Sequence, residues 1–325
     1  LSAIAKFMPR NHGIPFPIIC GTSAGAINST ALACYASCFQ LAVKKLEWVW
    51  NNLDPGRIYH TDPLRVSGHL LGGFLGSFQA DYANKQARSL LNNAPLRQLL
   101  ETVVDFSRID TNIRRGYLSA VSVTASSYTS GDSISFFQSE ESISPWCRSK
   151  RRGEPTQLNS QHLMASAAIP LVFPSVKIKR HHLGDGSVHQ LSPLSPAIHL
   201  GAEKILIIGV EQPEKKSRFT DMTRYPSSIA IAGHLLDTIF ADTLKSDLER
   251  LTRINETIAH MTHRQQQQTK LKTIDTLAIN PTRNFNEMAA KHFHRMPSGI
   301  KILLRLMGLH DKADSSLLSY LLFEK

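Results

Sequence analysis

No stretch of this 325-residue chain is apolar for long enough to cross a bilayer as a helix, which excludes an integral membrane protein built on such spans. Cysteine is scarce. Cys20, Cys34, Cys38 and Cys147 are all there is, with no zinc-type spacing among them. Cys34 and Cys38 fall one helical turn apart, a geometry that suits a disulfide poorly, so the thiols read as reduced, in a cytosolic-type environment. Acid is also in short supply: 26 Asp and Glu stand against 37 Lys and Arg, a formal net charge of +11. That balance favours anionic surfaces, either phospholipid headgroups or nucleic acid. No nucleic-acid motif and no stacked-aromatic signature is present, so lipid is the expected partner and nucleic acid is not. Internal repeats are absent too. What remains is 42% hydrophobic, ample for a substantial core in one large domain or two smaller ones.

The chain is organised around Pro17–Asn28. Ile18-Ile19-Cys20 reads as a buried strand, Gly21-Thr22-Ser23-Ala24-Gly25 as a tight turn, and Ala26–Ala33 as a helix. This is a Gly-x-Ser-x-Gly pattern between strand and helix, the setting in which such a serine is lifted above a sheet as a nucleophile. The sharp reversal forces strained backbone angles on Ser23. Side chains two positions before and after it are expected to collide, hence Gly21 and Gly25. The helix N-terminus would aim its free N–H groups at the same spot, with the Ala24 N–H placed to meet an oxyanion.

Elsewhere the patterning is coarser. Residues 2–10 read as the end of a helix, Phe39–Asn51 as a helix, and 92–103 as a helix entered through Pro95. Tyr117–Ala125 and Ser133–Gln138 read as a hairpin turning at Gly131-Asp132. The basic stretch 145–156 reads as a solvated loop, with a membrane-facing or phosphate-binding patch as the second reading. The glycine-rich apolar segment His69–Phe78 reads as a loop against the core or a lid able to touch lipid. Leu163–Ile169 is a helix of small residues ended by Pro170, Val176–Arg180 a strand and Leu183–Ser187 a tight turn. Lys204–Val210, apolar almost throughout, suggests a strand covered on both faces. Residues 228–265 read as helical, Thr273–Asn280 as a last strand, and Ile300–Met307 as an amphipathic basic helix that either packs on the core or attaches to lipid.

A serine hydroxyl needs a base. His181, His182 and His189 allow a Ser-His-Asp triad. Asp185, flanked by Gly184 and Gly186, is the alternative: the two glycines let its carboxylate project from a strand end. Taken together, Cys20–Ala26, Ala165–Pro174, Asp185-Gly186-Ser187 and Leu194–Ala202 ahead of the 204–210 strand resemble the patatin-like phospholipases, over roughly residues 1–282.

That resemblance implies an α/β, three-layer fold with a mainly parallel central sheet between helices. It implies a catalytic domain over 1–282 and a helical C-terminal extension over 283–325. It further implies a lipid acyl hydrolase of phospholipase A or lysophospholipase type, with Ser23 as nucleophile and Asp185 as its activating partner in a Ser-Asp dyad. Gly21, Ala24 and Gly25 would form the elbow and oxyanion site, and Gly184 and Gly186 the supporting turn, with no metal and no organic cofactor. Substrate would be a phospholipid or other acyl lipid, met in the cytoplasm or at a membrane surface. Acyl transfer by the same dyad and a catalytically impaired lipid-binding module are the other readings. Ser187 stands where the family commonly has Gly or Ala. The family's glycine-rich oxyanion turn has no match in residues 1–16, where Gly13 stands alone, so the first strand and that turn are expected upstream of Leu1, where a signal peptide also stays open.

Overall fold

The strand–turn–helix around Ser23 forms as the patterning suggests, though its strand is half-buried rather than buried. The computed structural model describes residues 1–61, 89–211 and 243–306, with Ile231, His234, Leu235 and Thr238; the His69–Phe78 segment lies outside the described residues. Two compact units divide the chain. The first comprises Leu1–His60, the described part of Ser67–Gln190, and Leu194–Ala202.

In the first unit, α1 (Ser2–Phe7) precedes β1 (Ile18–Thr22), α2 (Ala24–Cys34) and α3 (Phe39–Asn51). Two more helices, α4 (Ala94–Val103) and α5 (Ser107–Arg114), lead to the hairpin of β2 (Ala120–Ser127) and β3 (Ser133–Ser139). Then come β4 (Trp146–Arg148), β5 (Arg151–Pro155), α6 (Ser160–Ser166), β6 (Val176–Ile178), β7 (His181–Asp185) and α7 (Ser195–His199). The class is α/β, a seven-stranded sheet flanked by helices. Every residue of β2 is buried. Successive side chains of a strand point to opposite faces, so β2 is covered on both.

The sheet is mixed rather than mainly parallel. Only β1–β2 and β3–β5 are parallel, and the other four pairings are antiparallel. For three of these four antiparallel pairings, all but β2–β7, the cause is connection length. β1 returns to β2 through helices, whereas β2–β3, β4–β5 and β6–β7 are joined by short turns that permit only antiparallel pairing. The stretch read as a solvated loop at 145–156 is one of these hairpins, β4–β5. It carries no apolar alternation because it forms the sheet edge, where charge discourages further pairing. Trp146 anchors it, stacked between the rings of Phe137 and His199 at 5.0 Å from each.

The second unit holds β8 (Lys204–Ile208), α8 (Thr243–Ala259), α9 (His263–Gln268), β9 (Asp275–Ile279), α10 (Phe285–His292) and α11 (Ser298–Leu306). The helical pattern to residue 265 breaks near Met261, where Thr262 and Gln265 form a reciprocal cap that starts α9. β8 and β9 pair in parallel, but the cover expected on both faces is not found among the described residues. Ile208, Leu277 and Ile279 are exposed, while Ile207, Leu251, Ile258 and Ile274 are buried. In α11, Ile300 is buried and Ile302 exposed. No described helix is long and apolar enough to cross a membrane.

Candidate active site

Register along β2 decides what meets at the site. One edge of β2 pairs with β3 throughout. The other edge is shared end to end: β1 occupies it up to Thr22 opposite Thr124, and β7 takes over with Asp185 opposite Ala125. The C-terminal ends of β1 and β7 therefore abut at adjacent positions of one strand. Ser23 and Asp185, 162 residues apart, are each the first group past their strand's last pairing or its last member. The Ser23 Oγ–H donates to Asp185 Oδ2 at 2.5 Å.

Ser23 has φ 56° and ψ −128°, left-handed backbone that non-glycine residues rarely adopt. It caps α2, whose first N–H groups lack carbonyls one turn back within the helix. The turn's tightness falls on Gly21. A Cβ there would overlap the Gly25 carbonyl and the Ser29 hydroxyl, whereas a Cβ on Gly25 meets nothing within 4 Å. The expected crowding at both glycines is thus confined to one. Gly25 lies in α2 with open space on the side where its Cβ would project, and it is its carbonyl that faces the strand.

Asp185 is fully buried, and that burial raises its carboxyl to about 6, with the hydrogen bonds from Ser23 and Ser187 acting in the opposite sense. Its Oδ1 accepts the Ser187 N–H at 3.0 Å, and its own N–H donates to the Ala168 carbonyl at 2.9 Å. Gly186 is sterically required, since its neighbour is backbone, whereas at Gly184 the neighbour is the outer end of the half-exposed Tyr128 side chain. A Cβ on Gly186 would overlap the Thr124 carbonyl and one on Gly184 the Tyr128 hydroxyl.

Ser166 is the residue that the sequence reading missed. Fully buried at the end of α6, its Oγ accepts the Ser23 N–H at 3.0 Å and donates to the Thr124 carbonyl at 2.6 Å. It pins the strained backbone of Ser23 to the strand that organises both halves. The signal available was a lone serine in a run of small residues, Ala165-Ser166-Ala167-Ala168.

The histidines face other groups. His181 bonds the Ser127 hydroxyl and Arg152, His182 is exposed, and the His189 ring packs edge-on to Tyr128. Among the described residues no histidine ring nitrogen bonds Ser23 or Asp185. Burial pushes the Cys20 thiol to about 11 and Cys34 to about 12, so neither supplies a thiolate near neutral pH. No group of described His, Cys, Asp and Glu residues is arranged to hold a metal ion.

Comparison with known proteins agrees with this architecture. The patatin-like phospholipase family model matches residues 2–198. No curated protein matches the chain. With well over half its length matched, the chain belongs to the patatin-like phospholipase family, whose members are lipid acyl hydrolases.

Proposed function

We propose that this chain hydrolyses acyl esters of lipids through Ser23 and Asp185. The observation that carries the reading is the short Ser23–Asp185 hydrogen bond at the junction of β1 and β7. Asp185, as carboxylate, takes the Ser23 proton while Oγ attacks the ester carbonyl. The negative charge passes to the carbonyl oxygen, where the Ala24 N–H and the positive end of α2 receive it. Collapse expels the alcohol portion of the lipid, which leaves with the proton from Asp185, and an acyl group remains on Ser23. Water then attacks the acyl-enzyme, gives its proton to Asp185, and the fatty acid departs as Ser23 recovers its hydrogen.

Burial of Asp185 serves this route. A carboxyl held near 6 is a stronger base than a solvated aspartate yet is mostly ionised at neutral pH. Nothing in the route calls for a metal or organic cofactor. The test is release of fatty acid from a phospholipid with a fluorescent acyl chain. The wild-type chain should release free acid and Ser23→Ala none. Acyl groups recovered only as esters of an added alcohol would instead assign acyl transfer. Lipid binding without release or transfer would make the chain a binding module.

A further inference from the structure

Three hairpin tips gather at the end of the sheet where Ser23 stands. β2 and β3 turn at residues 128–132, β4 and β5 at 149–150, and β6 and β7 at 179–180. Hydrogen bonds lock them together. The Ser133 N–H donates to the Lys150 carbonyl, and the Tyr128 N–H to the His182 carbonyl, both at 2.9 Å. The His182 N–H donates to Thr129 Oγ1 at 3.0 Å. Arg152 reaches from the second tip to the third, its Nη2 donating to His181 Nε2 at 3.0 Å.

The charge on this rim is nearly of one sign. The second tip carries Arg148, Lys150, Arg151 and Arg152, and the third Lys177, Lys179 and Arg180. Against these seven cations the tips offer two carboxylates, Asp132 and Glu154, and Glu154 is paired to Arg152 at 3.1 Å. Lys150 and Lys179 occupy left-handed turn positions, φ 59° and 53°, where glycine or asparagine would sit with less strain. Between the rim and Asp185 lies Tyr128, 46% exposed, its hydroxyl against Gly184. Leu171, three residues beyond the carbonyl that holds the Asp185 N–H, is 72% exposed. Cations on a rigid rim with apolar side chains inside it suit a charged interface with a greasy interior.

We propose that this rim seats the protein on a membrane surface bearing anionic phospholipid, so that the Ser23 end of the sheet meets the lipid; the orientation rests on the reading of the chain as a lipid acyl hydrolase, while the binding does not. Each cation near an anionic leaflet contributes on the order of a fivefold factor in partitioning. These contributions are screened by salt.

The experiment is co-sedimentation of the full chain with vesicles of phosphatidylcholine alone, or with about one-third phosphatidylserine, at low and high salt. Its partner is the triple variant Lys177→Gln/Lys179→Asn/Arg180→Gln, whose asparagine suits the left-handed position. The wild type should bind the anionic vesicles, lose that binding at high salt, and bind neutral vesicles far less. The variant should bind anionic vesicles on the order of 100-fold more weakly while melting at an unchanged temperature and turning over a soluble short-chain ester as the wild type does. Equal binding of variant and wild type, equal binding to neutral vesicles, or tighter capture of a DNA duplex than of anionic vesicles would overturn the proposal. Vesicle binding as expected with no turnover of the soluble ester would instead count against the hydrolase reading alone.

Discussion

The two halves of the site hold their costs in different forms. Ser23 sits in strained backbone, with positive φ, and is pinned by Gly21 behind it and Ser166 beside it. Asp185 has ordinary backbone angles, φ −49° and ψ 131°, and its cost is electrostatic, a carboxylate fully buried. The first is a steric expense met by packing, on the order of 1–3 kcal/mol. The second is a desolvation expense that depends on pH. The difference implies that the halves should respond to mutation in opposite ways, and it can be broken or sharpened accordingly.

The largest expected effect is on turnover. Ser23→Ala should lower ester hydrolysis by on the order of 10⁴-fold or more, and Asp185→Asn by on the order of 10²–10⁴-fold. The same Asp185→Asn change should stabilise the fold at alkaline pH. Burial raises Asp185 from 3.8 to about 6, so between those values the folded state holds a proton that the unfolded state has lost. Stability therefore falls as pH rises through that window, and above it the ionised group costs about 3 kcal/mol. Urea melts at pH 8 should show Asp185→Asn more stable than wild type, with the gap closing near pH 4. Identical stability at both pH values would remove the electrostatic half of the comparison.

Next come the glycines. Gly21→Ala should destabilise by about 3 kcal/mol, since its Cβ meets backbone that cannot move aside. Gly25→Ala, with open space and a helical position, should be neutral or stabilising by up to about 1 kcal/mol. Equal losses from both in thermal melts would restore the symmetric crowding that the sequence suggests. A smaller loss than at Gly21 is expected at Ser166. Ser166→Ala leaves the Ser23 N–H and the Thr124 carbonyl short of a partner, a cost of about 1–3 kcal/mol. It should lower kcat by roughly tenfold with little change in KM. A change confined to KM would mean that Ser166 does not position Ser23.

Legibility in the sequence followed the range of the forces. The elbow was readable because strand, turn and helix are local, and each leaves its residue signature between Ile18 and Ala33. The α/β class was readable for the same reason. The sheet's mixed sense was not, because it depends on which edge of β2 each strand takes, and the β4–β5 hairpin hid behind basic side chains with no period. Proximity of Ser23 and Asp185 could not be derived from spacing, only from the family resemblance. Its structural cause, two strands sharing one edge of β2 end to end, is a matter of register. Ser166 escaped notice because a hydroxyl's partner cannot be read from a run of small residues.

The most direct test of the Ser23–Asp185 pairing is the rate at which a fluorophosphonate labels Ser23, followed by mass spectrometry across pH. Labelling of the wild type should rise with an apparent pKa of about 6 and level off above it, and in Asp185→Asn it should be slow and lack that inflection. A rate in Asp185→Asn that matches the wild type in size and pH profile would show that another group takes the serine's proton.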